Sequence, residues 1–352
     1  MAAMNIAQLR LNNQRITDSF FTQPADVVAH LGAMQAQDYT MSKWAVGARI
    51  PGATEESIEN AINEGKIVRT HILRPTWHLV AAQDIRWMLA LTAPHVQQLV
   101  AYMYRQLELN GALLNQTADL IAKALEGNNH LTRAELMTEL NKAGIPTNDL
   151  RASHLMFHAE LNAIVCNGRM KGKQITYALM DERIPLTALI SREEALGQLA
   201  KRYFMSHGPA TLPDFVWWSG LKVTDARAGL EMVKSQLVSE KINEQVYWMP
   251  NDLPTAAPDT LHLLPAFDEF MVSYKDRTAS LATNHHPAAI TSNGIFKPIV
   301  VVNGKVEGLW KRTIKKETVQ VETTFFETSQ TEHPLFKTAV EKYTQFLGKQ
   351  PK

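Results

Sequence analysis

"LTRAELMTELNKAG" (131–144), "TNDLRASHLMFHAELNA" (147–163) and "IVCNGRMKGKQITYALM" (164–180) follow one another through the middle of the chain, and their reading decides the fold. Thr132 with Glu135 three residues later is a capping-box pattern, which starts a helix there. The second stretch reads as another helix. The third holds two apolar runs joined by a turn containing Gly172, Lys171 and Lys173, which predicts a hairpin. Helix, helix, hairpin is the order of a winged helix-turn-helix unit.

Working outward, the same order recurs without any sequence repeat. Upstream, "TQPADVVAHLGAMQAQ" (22–37) reads as a helix start, with Thr22 as a cap candidate and Pro24 in the first turn. "TEESIENAINEG" (54–65) is a second helix, with Glu55 and Glu56 at its positive end and Gly65 past its last turn. "IVRTHILRPTWHLVAA" (67–82) predicts two short strands around a bend at Pro75, and 82–108 returns to helix. Downstream, "SREEALGQLAKRYFMSHG" (191–208), "TLPDFVWWSG" (211–220) and "TDARAGLEMVKSQL" (224–237) are helical, and "VSEKINEQVYWMP" (238–250) closes a third copy. "PNDLPTAAPDT" (250–260) is the clearest linker. Beyond it, Asn303-Gly304 between alternating apolar runs is the strongest hairpin signal in the chain. "ETVQVETTFFE" (317–327) adds a strand and "HPLFKTAVEKYTQFLGK" (333–349) an amphipathic helix. The expected fold is mainly α with β hairpins (α+β): tandem winged helix-turn-helix units over 1–110, 111–185 and 186–250, then a small β-barrel-like domain over 260–352.

Bulk properties restrict the function. With 352 residues, 45% hydrophobic and 20% charged, the chain has the composition of a soluble multi-domain protein. No apolar run reaches the roughly 20 residues of a membrane span, and the N-terminus lacks a signal-peptide pattern. A single cysteine, Cys166, excludes a disulfide framework and a cysteine-rich zinc site. The expected location is the cytoplasm, at the nucleoid, and the chain is expected to act as a monomer. No phosphate-binding loop, dinucleotide fingerprint, HExxH or GxSxG motif is present, so no nucleotide cofactor, no other cofactor and no metal is expected. The pair His285-His286 reads as an exposed loop. Net charge is +1, but a polyanion partner needs only a basic face. Arg169, Lys171 and Lys173 in one run, and Lys311, Arg312, Lys315 and Lys316 in another, supply candidates, or else ordinary solvated surface.

Three stretches carry candidate chemistry. "HLGAMQAQDYTMSKW" (30–44) spaces Gln35 and Gln37 two apart. In a helix they diverge by about 200°; in extended or bent backbone they share a face. "RTHILRPTWHLV" (69–80) places Arg69, Arg74 and His78 on a hairpin that either reaches nucleic acid or is half-buried structure. "LLPAFDEFMVSYKDR" (263–277) has adjacent Asp268 and Glu269, read either as acid/base chemistry or as a structural turn in which Asp268 caps backbone amides.

Taken together, "MQAQDY" (34–39), "HILRPTWHLV" (71–80), "LLPAFDEFMVSYKDR" (263–277) and "NGKVEGLWKR" (303–312) resemble the winged-helix DNA glycosylases of the AlkZ/YcaQ type along essentially the whole chain. The glutamine–apolar–glutamine motif Gln35-Ala36-Gln37 is similar to the AlkZ-like branch; the YcaQ branch has aspartate at the second polar position. The resemblance implies hydrolysis of the N-glycosidic bond of N7- or N3-alkylated purines in double-stranded DNA, bulky adducts and interstrand crosslinks included. It implies Gln35 and Gln37 as catalytic residues, with Asp38 a helix cap or supporting group. Arg69, Arg74, His78, Arg169, Lys171, Lys173, Lys311 and Arg312 are then the DNA-binding set. A cationic alkylated purine is already a good leaving group, so amides that position a water suffice. A bifunctional lyase needs a desolvated lysine, and Lys43, the nearest, carries no such mark, which predicts a monofunctional enzyme. The alternatives are a non-catalytic winged-helix regulator and a small-molecule binder using Trp217 and Trp218, which otherwise read as core.

Overall fold

The Thr132 hydroxyl accepts the Glu135 N–H while the Glu135 carboxylate accepts the Thr132 N–H, so the capping box read from sequence starts the helix Arg133–Lys142. The computed structural model describes residues 4–188, 190–252, 259–327 and 333–352. Residues 253–258 of the expected linker lie outside them. Among the described residues fifteen α-helices and thirteen strands make a mixed α/β fold. The chain divides into two compact units, one formed by 1–59 with 196–352 and the other by 60–195.

In the unit 60–195 the strands Ile67–His71 and Trp77–Ala81 pair antiparallel, with Arg69 opposite Leu79 and Thr70 opposite His78. A second sheet sets Thr176–Leu179 between Leu131–Thr132 and Val165–Asn167. The helices Gly111–Leu125, Arg133–Lys142 and Arg151–Leu161 present one apolar stripe each. Ile121, Leu125, Leu136, Leu155, Val165 and Tyr177 form the resulting core. The hydrogen bond from Arg69 N–H to Asn167 Oδ1, 2.7 Å, ties the first hairpin to the second sheet.

In the other unit a five-stranded sheet runs in the order Gln350–Pro351, Thr318–Phe325, Lys305–Ile314, Ile299–Val302, Leu261–Leu264. All pairings are antiparallel except the first. The turn at Asn303-Gly304 has φ of 49° and 85° at its two positions, the hairpin geometry that this dipeptide favours. A side chain at Gly304 would also come within 2.8 Å of the Ala7 and Gln8 backbone. The core collects Leu11, Leu264, Phe270, Ile299, Val301 and Val306. The helices Leu212–Ser219 and Val223–Val233 and the hairpin Val238–Ile242 with Gln245–Met249 follow the sequence reading. Trp218 is fully buried as expected, whereas Trp217 is 41% exposed with its indole N–H on the Val272 carbonyl, so only one of the pair is core.

The largest departure from the sequence reading is at 22–37. The helix covers only Pro24–Leu31, with Pro24 at its first turn. Gln23, not Thr22, occupies the cap position, and no side chain caps there. The helix stops because Gly32 takes φ 80°, ψ −57°, a conformation open to glycine and closed to the helix. Ala33–Gln35 then form a short strand.

Candidate active site

The glutamine segment lies between two helices whose ends are both fixed. Gly32 ends the first. Asp38 starts the second, Tyr39–Gly47, by accepting the Met41 N–H at 3.0 Å. Trp44 holds that second helix, its ring 5.1 Å from Tyr343 and 5.0 Å from Phe346, its indole N–H on the Leu263 carbonyl at 2.7 Å. A side chain at Gly47 would collide with the Phe346 ring, so the helices Tyr39–Gly47 and Phe336–Phe346 approach closely there. Gln35 therefore ends a strand and Gln37 sits in a bend, both outside any helix. Gln35 is 8% exposed, and Gln37 is exposed.

What anchors the segment is a buried carboxylate 234 positions away. Glu269 Oε1 accepts the Gln35 N–H at 2.6 Å. Its Oε2 accepts the Trp218 indole N–H at 3.1 Å and the Ser273 hydroxyl. His207 Nε2 lies 3.7 Å from the same oxygen. Burial pushes the Glu269 carboxyl up, but hydrogen bonds and charge from His207, together with the Ser273 and Gln35 donors, outweigh it and lower its pKa to about 2. Burial pulls the His207 ring the other way, lowering its pKa although the Glu269 carboxylate beside it raises it. A fully enclosed carboxylate that keeps its charge gives the Gln35 backbone N–H a strong, fixed acceptor.

Asp268, one residue earlier, has a different task. Its Oδ1 accepts the Phe270 N–H at 2.9 Å, the cap read from sequence, and both its oxygens receive the Arg49 guanidinium at 2.9 Å. Arg49 also donates to the Gln14 and Ala45 carbonyls and to Gln14 Oε1, and is fully buried. Asp268 thus secures the turn that aims Glu269. The adjacent carboxylates are visible in the sequence; their partners Gln35 and Arg49 are not, because nothing local links them.

The remaining sequence-derived residues divide by environment. Arg312 belongs to the glutamine unit: its guanidinium touches Met41 Sδ, on the helix that Asp38 caps, and lies 5.8 Å from the Tyr343 ring. Lys311 is 76% exposed and pairs with Glu322 across the sheet at 2.6 Å. In the unit 60–195, Arg169 and Lys173 are exposed, and Lys171 pairs with Glu135 at 2.5 Å from a largely exposed position. Arg74 is half-buried at the bend of its hairpin. Two expectations need correction. His78 is fully buried, with Nδ1 3.0 Å from the Thr76 carbonyl, and Arg69 is 7% exposed with its guanidinium 4.0 Å over the Trp77 ring. The register explains both. His78 opposes Thr70 on a face where both are fully buried, and Arg69 shares the other face with Trp77, which covers it. Neither side chain offers a surface to a phosphate.

Lys43 is a buried ammonium held by Glu55 at 2.8 Å and Glu59 at 2.7 Å. Burial alone would lower its pKa, but the hydrogen bonds to the two carboxylates outweigh it and raise it. A lysine held protonated is no nucleophile. Among the described residues no group of three metal-binding side chains occurs, and no helix is long and apolar enough to cross a membrane.

Known proteins resemble this arrangement at three levels. The family model described as DNA glycosylase AlkZ-like matches residues 28–346. An interstrand DNA cross-link repair glycosylase of Streptomyces sahachiroi is 26% identical over 313 residues, covering 82% of this chain and 83% of that protein. The solved structure of the Streptomyces sahachiroi DNA glycosylase AlkZ superposes with a TM-score of 0.82 at 21% identity, covering 99% of this chain and 97% of that one, which establishes a shared fold. A family match spanning nine-tenths of the chain, the glutamine pair included, leaves one assignment: the chain belongs to the AlkZ-like DNA glycosylase family.

Proposed function

We propose that the chain hydrolyses the N-glycosidic bond of purines alkylated at N7 or N3 in duplex DNA, with a water positioned by Gln35 and Gln37. The observation that carries this reading is the placement of Gln35-Ala36-Gln37 outside any helix, on backbone pinned by Glu269, with Gln37 open to solvent. Carbonyl oxygens of two amides orient a water for attack at C1′, and their negative dipole ends favour the positive charge that develops on the sugar. The Glu269 carboxylate, one hydrogen bond behind Gln35, acts in the same sense from a water-free interior. Because glutamine takes no proton at neutral pH, the reaction is confined to lesions whose base already leaves well. The family and the cross-link repair named for the Streptomyces relative support bulky adducts and interstrand crosslinks as the substrate class. The bonded state of Lys43 supports monofunctional hydrolysis.

On this reading the helix-and-hairpin segments 1–110, 111–185 and 186–250 are tandem winged-helix units, and 260–352 is the β-barrel-like C-terminal domain. Release of 7-methylguanine from methylated duplex DNA, and unhooking of an N7-crosslinked duplex, test the reading. The wild type is expected to act on at least one. Gln35→Ala and Gln37→Ala are each expected to slow release by roughly tenfold or more with duplex binding retained. Inactivity of the wild type on both substrates would defeat it and favour a non-catalytic DNA-binding regulator.

The DNA footprint rests on the exposed cations Arg169, Lys171, Lys173 and Lys311, with Arg312 half-buried and Arg74 at the hairpin bend. The pairs Lys171–Glu135 and Lys311–Glu322 are exposed and screened by solvent, so each exchanges readily for a phosphate. Lys173→Ala and Lys311→Ala are expected to weaken binding alike on all sequences and to reduce the slope of log K against log salt by about one each. His78→Ala, by contrast, is expected to leave that slope unchanged. Titrations at several salt concentrations check both, and unchanged slopes for both lysines would remove the footprint.

A further inference from the structure

The unit 60–195, which holds neither glutamine, contains a cavity of about 250 Å³ that the proposed reaction does not use. Apolar and aromatic side chains, Trp77, Val100, Met156, Phe157 and Tyr177 among them, make most of its wall, and the rings of His71 and His154 also line it. Trp77 is fixed there between neighbours, the His71 ring at 3.9 Å and the Arg69 guanidinium at 4.0 Å. Glu160, only 1% exposed, also lines the cavity. Its Oε2 accepts both the His71 Nδ1–H at 2.5 Å and the His71 backbone N–H at 3.2 Å. Among the described residues no group donates to its Oε1. A buried carboxylate oxygen lacking a donor requires one from elsewhere. At the opening stands Arg133, exposed, with its guanidinium on the Ser153 hydroxyl at 2.8 Å.

We propose that this cavity is a nucleotide site: an amino-bearing nucleobase enters it, an exocyclic N–H donates to Glu160 Oε1, and the phosphate stays at the opening beside Arg133. The chemistry selects each part. The volume lies just below the usual range for small-molecule pockets, which suits one flat ring system. Aromatic and apolar walls take the faces of such a ring, and a carboxylate oxygen, which only accepts, favours bases that carry an amino group over those that do not. An exposed arginine is the complement of a phosphate, and would repel a ligand whose outer end is cationic. Guanine, adenine and cytosine qualify; thymine and hypoxanthine do not. The nucleotide is either free or an unpaired residue of a DNA strand, and the chemistry recognised is the same.

Calorimetric titration of the full chain with dGMP, dAMP, dCMP, dTMP and deoxyinosine monophosphate tests the assignment without any bond cleavage, so its result is independent of glycosylase activity. At least one amino-bearing nucleotide is expected to bind, with dTMP and deoxyinosine monophosphate about tenfold weaker or more. Glu160→Gln removes the charge and is expected to weaken binding by a similar factor. Ser153→Trp, at the opening and away from the buried carboxylate, is expected to abolish binding in a chain that folds normally, and it decides the matter should Glu160→Gln fail to fold. A duplex with one unpaired guanine, competed by dGMP, identifies the strand as the source; binding of dGMP without such competition identifies the free nucleotide. The proposal is overturned if no nucleotide binds, if dTMP binds as well as dGMP, or if Ser153→Trp leaves binding intact.

Discussion

Glu269→Ala is expected to reduce 7-methylguanine release by about a hundredfold, more than either glutamine substitution, while duplex affinity stays within a few-fold of wild type. On the proposed function, Glu269 acts by positioning the glutamine segment and does not itself react. Removing it leaves the Gln35 N–H, the Trp218 indole and the Ser273 hydroxyl without their acceptor in a closed interior. Each such loss costs about 1–3 kcal/mol unless the backbone moves to find water. The movement displaces Gln35 and Gln37 together, and a displacement near 1 Å is enough for about a hundredfold in rate. Glu269→Gln discriminates positioning from mere structural support. Its amide oxygen can still accept from Gln35, while its NH₂ faces two donors, Trp218 and Ser273. It should therefore recover part of kcat with no change in duplex Kd. Single-turnover rates well below the unfolding temperature, beside binding titrations, provide the check. Equal kcat for wild type and Glu269→Ala would end the positioning role.

The same carboxylate has a pH signature. Its pKa in the folded chain, about 2, lies below the ordinary 4.5, so the folded state favours the charged form. The stabilisation is fully present above the ordinary value and is lost as pH falls from about 4.5 towards 2. Glu269→Gln is expected to flatten stability against pH in that window, and to leave it unchanged between pH 6 and 8.

Asp268→Ala should cost about 3–5 kcal/mol, the largest stability loss expected from a single substitution in this site. Arg49 is fully enclosed and each of its guanidinium nitrogens donates, to Asp268, Gln14 or Ala45. Without Asp268 an intact positive charge remains in a medium that solvates it poorly. Asp268→Asn keeps the Phe270 cap acceptor but loses the charge, and should fall between wild type and alanine. Arg49→Met with Asp268→Leu removes both charges and should lose less than the two single changes summed, since no orphaned ion is left. Urea unfolding of Asp268→Ala, Asp268→Asn, the double variant and its two single changes tests this. A loss below about 1 kcal/mol for Asp268→Ala would mean that water reaches Arg49 and that the turn carrying Glu269 is not fixed by this pair.

Several features were legible from a few neighbouring residues. The Thr132–Glu135 capping box, the Asn303-Gly304 turn, the Asp268 cap and the hairpin around Pro75 are all set by interactions within about four positions of the chain, so a linear reading finds them. The glutamine pair was legible as a motif through family resemblance, but its geometry was not. Apolar spacing through 22–37 fits a continued helix, and only the Gly32 conformation ends it at Leu31. Burial of Arg69 and His78 was likewise hidden, because strand alternation fixes which residues share a face but not which face is covered. By itself, then, the sequence determined where helices and turns begin, the absence of known cofactor motifs and the presence of Gln35-Ala36-Gln37. The tertiary structure alone decided which buried group meets which partner: Glu269 with the Gln35 backbone N–H, and Asp268 with Arg49. Those pairings join positions more than two hundred residues apart, and a buried charge takes its partner from whatever the packed chain brings within hydrogen-bonding distance.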